Sequence, residues 1–449
     1  MAEQYDLVVI GGGPGGLAAA ELAAKNKKRV LIIEKDGWGG TCTNHGCIPT
    51  KALLTCSKFY ADVKKLKRLG INVSETSIDF PAIKKHQQQI IKVAALGAHK
   101  MLVDAQVETK QGTGEIISPQ EVQYRDEEGN TKIISTKNII IAWGSQSQIL
   151  PGITLTERIL TSDGLLNLDS LPVSIIIVGA SVIGVEFATF FAELGTKVTL
   201  IELLDRILPN EDQEAADLLR QELIRLGIAI HTSTKLESLT ATGGTVAIKA
   251  QTTNEQFEKT ADYALLCIGR LPVLYEEELK KLEIQYSKAG IKVDANMMTN
   301  IAGIYAVGDV TGGLMLAHRA TLQGKIAAGH ICDICETDTI TYNENFIPSV
   351  VYSHPQIARV GLIQKSAEVQ IIKSNYSANI IARTELMSQG FVKAFFQNDK
   401  IIGATIVGDD AAELIAPLSL AVSSELTKQQ LRAWVIPHPT LSEIFVPLL

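Results

Sequence analysis

Cys42 and Cys47 stand with four residues between them, inside the run Gly39-Gly40-Thr41-Cys42-Thr43-Asn44-His45-Gly46-Cys47-Ile48-Pro49-Thr50-Lys51. A regular helix advances about 7.5 Å over five residues, whereas the Cα atoms of a disulfide sit roughly 5.5 Å apart. A bond between these two therefore requires a bent segment, which Gly46 and Pro49 permit. Pro49 suits a first helical turn, so Cys47 is expected close to a helix N-terminus, with Lys51 one turn on. Both features stabilise a thiolate and lower its pKa. The chemistry in view is thiol–disulfide exchange. Zinc ligation and two unrelated buried thiols are the alternatives. CxxxxC is not a usual zinc spacing and no second ligand pair of matching quality accompanies it, so no metal is expected. The other close pair, Cys332 and Cys335, lies in an apolar helical pattern with Ile326, Ala327, His330, Ile331 and Ile334, and reads as buried helix-face thiols. Cys56 and Cys267 fall in apolar patterns and read as core residues.

The elements around this pair occur twice. Tyr5 to Lys35 reads as an apolar strand, a glycine turn, a helix and a second strand ending in an acid, and Val173 to Leu203 reads the same way. Gly11 and Gly179, Gly16 and Gly184, and Glu34 and Glu202 are each 168 residues apart. In the first copy Gly11, Gly13 and Gly16 form GxGxxG: one glycine for the tight turn, one for backbone approach to a pyrophosphate, one for helix–strand packing. Free N–H groups and the helix dipole favour the anion there, and Glu34 is placed to accept from ribose hydroxyls. In the second copy Ser181 replaces the middle glycine, so the fit to phosphate is expected to differ locally. Glu202 favours NAD, because a carboxylate repels a 2′-phosphate; Arg206 lies beyond the strand end and weighs less.

With 449 residues, 46% hydrophobic and 20% charged, the chain is globular and long enough for about three domains. A net charge of −7 offers no long-range attraction to nucleic acid or an acidic membrane surface. The basic stretch from Lys58 to Arg68 reads as one solvated helix face. No apolar run reaches the length of a membrane span, and Met1 to Asp6 lacks the pattern of a secretory signal. Six cysteines in a chain this long are expected to be reduced thiols, and a cytoplasmic location follows.

Taken together, these residues resemble the pyridine nucleotide–disulfide oxidoreductases over nearly the whole chain, and among them those that oxidise dihydrolipoamide. The likeness rests on the two βαβ units, GGTCTNHGCIPTK at 39–51, CIGRLP at 267–272, TNIAGIYAVGDVTGG at 299–313, LAHRA at 316–320 and HPTLSE at 438–443. It implies an α/β protein with two doubly wound, Rossmann-like domains and an α+β dimerisation domain. The segments would be 1–145 for FAD, 146–270 for NAD, 271–340 returning to FAD, and 341–449 for the interface. By the resemblance Cys42 and Cys47 form a redox disulfide, Cys47 being the thiolate against the flavin and Cys42 the thiol that exchanges with a lipoyl dithiol. Lys51 and Glu186 would pair beside the flavin, and Asp309 would hold its ribityl chain. Ala317 would contact the isoalloxazine region. Lys35, Gly40, Thr41, Gly114, Ala142, Gly144, Gly269 and Arg270 complete the expected cofactor set. His438, oriented by Glu443, would be the base, supplied by the other subunit of a homodimer. Exchange needs a thiolate, so a base must take and return a proton, and an imidazole with a carboxylate partner suits that task.

The sequence also departs from the family's pattern. Ala142-Trp143-Gly144 stands where A-T-G is usual, implying an altered fit where the segment skirts the flavin. His45 separates the cysteines where valine is common, Ile436 precedes the final motif where a histidine is common, and Gln356 replaces a glutamate. The chain stops at Leu449, so a shortened final helix is expected. Two other functions remain in view. One is a disulfide or mercuric reductase of the same family. Glu202 disfavours the NADPH-dependent glutathione type, and the Val-Pro-Leu-Leu ending lacks the mercuric type's cysteine pair. The other is a degenerate, non-catalytic flavoprotein subunit, against which both cysteines and the His–Glu pair argue.

Overall fold

The segments Tyr5–Ile10 and Val30–Ile33 are apolar with hardly a break rather than alternating, as strands covered on both faces must be. The computed structural model describes residues 4–334, 342–364, 366–387 and 389–448; Cys335 lies outside them. The chain divides into two units. One comprises Met1–Pro49, Lys85–Gln148 and Gly269–Tyr342; the other comprises Thr50–Lys84, Ile149–Ile268 and Asn343–Leu449.

In the first unit, β1 (Gln4–Ile10), α1 (Pro14–Lys25) and β2 (Val30–Glu34) form the predicted βαβ motif. The redox segment follows as α2 (Gly40–Asn44) and the start of α3 (Cys47–Leu66). Then come β3 (Glu108–Gln111), β4 (Thr113–Ser118), β5 (Glu121–Arg125), β6 (Thr131–Ile141) and β7 (Ser145–Ser147). The sheet order is β3-β2-β1-β6-β5-β4, and the strand Ile304–Ala306 also pairs with β6. β3, β2, β1, β6 and Ile304–Ala306 run parallel, whereas β4 and β5 are antiparallel additions. Alternate residues supply two cores. Leu7, Val9, Val30, Ile32 and Ile140 meet Leu17, Ala19 and Ala20 of α1 and Ile326 of the helix Ala317–Ile331. Val8, Ile10, Leu31, Ile33, Ile139 and Ile141 meet Ile116, Val122 and Leu279 on the other face.

In the second unit the strands Ala229–His231, Lys197–Ile201, Ser174–Val178, Tyr263–Leu266 and Ile159–Thr161 form a parallel sheet in that order. The helix Val182–Glu193 is apolar nearly all round, and Phe187, Phe190 and Phe191 are buried with Val198 and Leu200 of the sheet and Leu53 and Leu54 of α3. A separate five-stranded antiparallel sheet runs Ser349–Val351, Gln356–Gly361, Lys400–Gly408, Phe391–Gln397, Gln370–Asn375. Its Val392, Ala394, Ala404 and Ile406 pack under the helix Ala411–Ser423 through Leu414, Ile415 and Leu418. Two doubly wound sheets and an α+β C-terminal region are the architecture expected from the sequence. Among the described residues no helix is long and apolar enough to cross a membrane.

Candidate active site

The two glycine turns are built alike. Gly11 has φ +115° and Gly179 φ +102°, and a Cβ on either would stand 2.2 Å from the Ala142 carbonyl or 2.3 Å from that of Cys267. Only glycine meets both demands. A Cβ on Gly16 or Gly184 would come within about 2 Å of the carbonyl oxygen of Gly11 or Gly179, so the third glycine sets the helix against the turn. Each terminal acid then clamps its own loop. Glu34 accepts from the amides of Gly12 (2.5 Å) and Asp36 (2.7 Å), and Glu202 accepts from those of Ala180 (2.6 Å) and Leu204 (2.9 Å). The offset of 168 thus extends to the hydrogen bonds. Ser181 keeps the path of the turn: its backbone (φ −81°, ψ −171°) matches Gly13 (φ −75°, ψ 179°), so the serine changes only what the turn presents. Both conformations are extended and open to any residue.

The redox segment is fastened to the first turn. Gly39 donates its amide to the Gly12 carbonyl at 2.9 Å, and a Cβ on Gly40 would lie 2.8 Å from the Gly13 α-carbon. The Asn44 side chain donates to the carbonyls of Gly37 (3.1 Å) and Gly40 (3.0 Å), tying the loop to α2. Cys42 lies within α2, half-buried, and Cys47 is exposed as the first residue of α3. His45, the C-cap of α2, breaks the helix between them, which is the bend the spacing demanded. Thr41 is half-buried beside Cys42, and Lys35 is exposed past the end of β2. Of the remaining thiols, Cys267 is buried, while Cys56 and Cys332 are half-buried; burial raises the pKa of all three.

Asp309 lies in the turn Gly308–Thr311 and accepts from the Ser145 hydroxyl at 2.6 Å. Arg270 donates to that hydroxyl and to the Ser145 carbonyl, each at 2.8 Å. Arg270 and Gly269 therefore belong with Asp309 in the first unit, joined through the antiparallel pair of β7 and Arg270–Pro272. Gly144 has φ +75° just before β7, Ala317 begins the helix Ala317–Ile331, and Gly114 in β4 abuts Ile33 and Ile10. Ser145 and Asn44 were not singled out from sequence, because only spatial neighbours distinguish them from ordinary polar residues.

In the second unit Arg206 donates to the carbonyls of Pro209 and Glu211, which turns its guanidinium into its own loop and away from any 2′-phosphate role. Lys51 meets both oxygens of Glu186 (3.1 and 3.0 Å), as the resemblance implied. Glu186 is 3% exposed, also accepts from the Tyr352 amide at 2.9 Å, and the Lys51 ammonium lies over the Tyr352 ring. Seven residues on, Glu193 repeats the arrangement, accepting from the Ser57 hydroxyl at 2.5 Å and contacting His354 Nδ1 at 2.7 Å. His438 Nδ1 meets Glu443 at 2.8 Å, and the second Glu443 oxygen accepts from the Thr440 amide at 3.0 Å. The hydrogen bond with His438 holds the Glu443 carboxyl below its ordinary pKa. His438 is 76% exposed, so its ring is fixed at one nitrogen and presented at the other. Among the described residues no three His, Cys, Asp or Glu side chains gather as a metal site.

Residues 5–324 match the profile of the pyridine nucleotide-disulphide oxidoreductases, and residues 347–449 match the dimerisation domain of the same family. The chain belongs to this family. It is 35% identical over 447 residues to a dihydrolipoyl dehydrogenase of Bacillus subtilis (97% of this chain, 96% of the relative), and 36% identical over 460 residues to one of Chlamydia pneumoniae (99% and 96%). Among solved structures it resembles LpdA of Mycobacterium tuberculosis, with a TM-score of 0.92 at 29% identity, covering 98% of each chain. It also resembles the HOCl-induced flavoprotein disulfide reductase RclA of Escherichia coli, with a TM-score of 0.86 at 27% identity, covering 99% of each chain. The resemblance read from the sequence is borne out, and with it an oxidoreductase that uses FAD and NAD. The dimerisation domain supports a homodimer. The first unit fits the flavin nucleotide: a Cβ on Gly13 would meet no atom within 4 Å, so the start of α1 is open to a pyrophosphate.

Proposed function

We propose that this protein oxidises a dihydrolipoyl dithiol and reduces NAD, with Cys42 and Cys47 as the redox pair. The observation that carries the reading is the position of the pair. Cys47 opens a 20-residue helix, and the segment holding both cysteines is pinned to the glycine turn by Gly39 and Gly40. A helix N-terminus favours the thiolate that exchange needs. The full-length likeness to relatives named dihydrolipoyl dehydrogenase supports the substrate. In the proposed sequence a substrate thiolate attacks the Cys42 sulfur, the Cys42–Cys47 bond breaks, and Cys47 leaves as a thiolate. The second substrate sulfur then attacks the mixed disulfide. Lipoyl disulfide departs, and Cys42 recovers as a thiol. His438 takes the proton of the first substrate thiol, gives it to Cys42 as that sulfur leaves, then takes the proton of the second and releases it to solvent, and Glu443 holds its ring. FAD, when bound, supplies the two-electron chemistry linking the dithiol to the pyridine nucleotide. Gly11, Gly13, Gly16, Glu34, Gly40, Thr41 and Asp309 would hold it, and Gly179, Ser181, Gly184 and Glu202 would hold NAD. The division at 145, 270 and 340 and the supply of His438 by the partner subunit belong to the same proposal. The test is turnover of the purified protein with dihydrolipoamide and NAD beside oxidised glutathione, mercuric ion and other disulfides with NADH or NADPH. The expected result is a preference for the lipoyl pair with NAD of at least tenfold; a faster reaction with another acceptor overturns the substrate assignment.

A further inference from the structure

Trp143 lies in the link between β6 and β7, where its indole Nε1 is buried with no hydrogen-bond partner among the described residues. Indole N–H is a donor only, and a buried donor left unsatisfied is a steady cost that phenylalanine would not carry. The ring lies edge-on to Tyr275, with centroids 4.7 Å apart, against the apolar cluster that includes Ile10, Ile141 and Val310. The flanking residues point elsewhere. On one side Ala142 offers the carbonyl that closes on Gly11; on the other Ser145 donates to Asp309. Trp143 therefore sits between the turn open to a pyrophosphate and the carboxylate assigned to the ribityl chain.

We infer that Trp143 donates its indole N–H to an oxygen of the sugar–phosphate chain of bound FAD, and is a determinant of flavin affinity in this chain. The inference rests on the first unit being the FAD site, and it gives a specific form to the altered fit expected there from the sequence. One polar contact made only in the holoprotein satisfies the donor and adds to cofactor binding.

The test compares FAD binding by apoprotein prepared from the wild type, from Trp143→Phe, and from a chain carrying β-(3-benzothienyl)alanine at 143, an isostere with sulfur in place of the N–H. Calorimetric titration with FAD reads the dissociation constant. Loss of the hydrogen bond predicts an increase of about tenfold for both replacements. The thermal midpoint of the holoprotein should fall, while the isosteric apoprotein melts at or above the midpoint of the wild-type apoprotein, because it no longer buries an unsatisfied donor. A dissociation constant within twofold of wild type for the isostere overturns the inference, because ring shape alone then suffices. An equal fall in the apoprotein midpoint also overturns it, by showing that the donor already has a partner without FAD. Wild-type apoprotein that takes up no FAD would instead overturn the cofactor assignment itself.

Discussion

Cys47 is the first residue of α3, at the positive end of the helix dipole, whereas Cys42 lies inside α2, so the two sulfurs face different electrostatic surroundings one bend apart. Cys47→Ser should abolish the long-wavelength charge-transfer absorption that follows two-electron reduction and lower turnover by about 1000-fold or more. Cys42→Ser cannot form the disulfide, so its Cys47 thiolate should give the absorption before any reduction while turnover is lost; the pair of spectra checks the roles. Glu202 is argued the same way. Glutamine at this position can satisfy one of the two amides from Ala180 and Leu204, but turns an N–H toward the other. Glu202→Gln should therefore raise the KM for NADH roughly tenfold and leave that for NADPH nearly unchanged, as read by steady-state kinetics with each nucleotide. At this scale sequence carried far where spacing is diagnostic: Glu34 and Glu202 end strands at fixed distances from glycines. It carried nothing for Ser145 or Asn44, whose importance lies in which carbonyl or carboxylate the fold brings near.

α3 and the helix Val182–Glu193 are joined by two polar rungs, Lys51–Glu186 and Ser57–Glu193, each continued into the 352–354 segment by the Tyr352 amide and the His354 ring. Glu186 and Glu193 are seven residues apart, two helical turns, and so share a face. Glu193→Ala strips partners from Ser57 and His354 at once, and should cost about 2–4 kcal/mol in urea unfolding of the holoprotein. The first rung was legible through the family likeness; the second was not, because Ser57 and His354 are far apart in sequence and unremarkable in type. A different element carries a pH effect. Glu278, in the helix Glu276–Lys281, accepts from the Ile116 amide of β4 at 2.6 Å, and burial pushes its carboxyl up to about 7 from 4.5. The folded state then holds its proton more tightly than the unfolded state, so stability falls as pH rises from about 4.5 to 7, with the full loss present above 7. Glu278→Gln keeps an acceptor for Ile116 and removes the charge. Its melting midpoint should exceed the wild type's by roughly 1–3 °C at pH 8 and lose that advantage below pH 5, as followed by calorimetry across the range.

The whole chain uses one nucleotide-binding plan twice, with turn and clamp reproduced at a constant offset and the strands around them in the same order, and then adds an antiparallel sheet of different design. Continuous apolar runs announced the parallel strands. The antiparallel sheet was expected only through likeness to the family, because its register depends on pairings such as Gln356 with Gly408 that leave no mark in spacing. If the homodimer is symmetric and His438 serves the partner subunit's cysteines, mixing Cys47→Ser and His438→Ala chains before refolding should restore about a quarter of wild-type turnover from two nearly inactive parents. Half of the dimers would then be mixed, each with one intact centre; no recovery would place His438 with its own subunit's cysteines. The fastening of the redox segment to the glycine turn has a thermodynamic corollary. Because Gly39 bonds to Gly12 and Gly40 rests on Gly13, opening or closing the cysteine pair and taking up or releasing the cofactor act on one loop. Linkage is reciprocal, so whatever the thiol state does to cofactor retention, the cofactor does in equal measure to the midpoint potential of the cysteines. Dialysis of the oxidised and reduced protein, with flavin loss as the readout, would give that coupling as a single number.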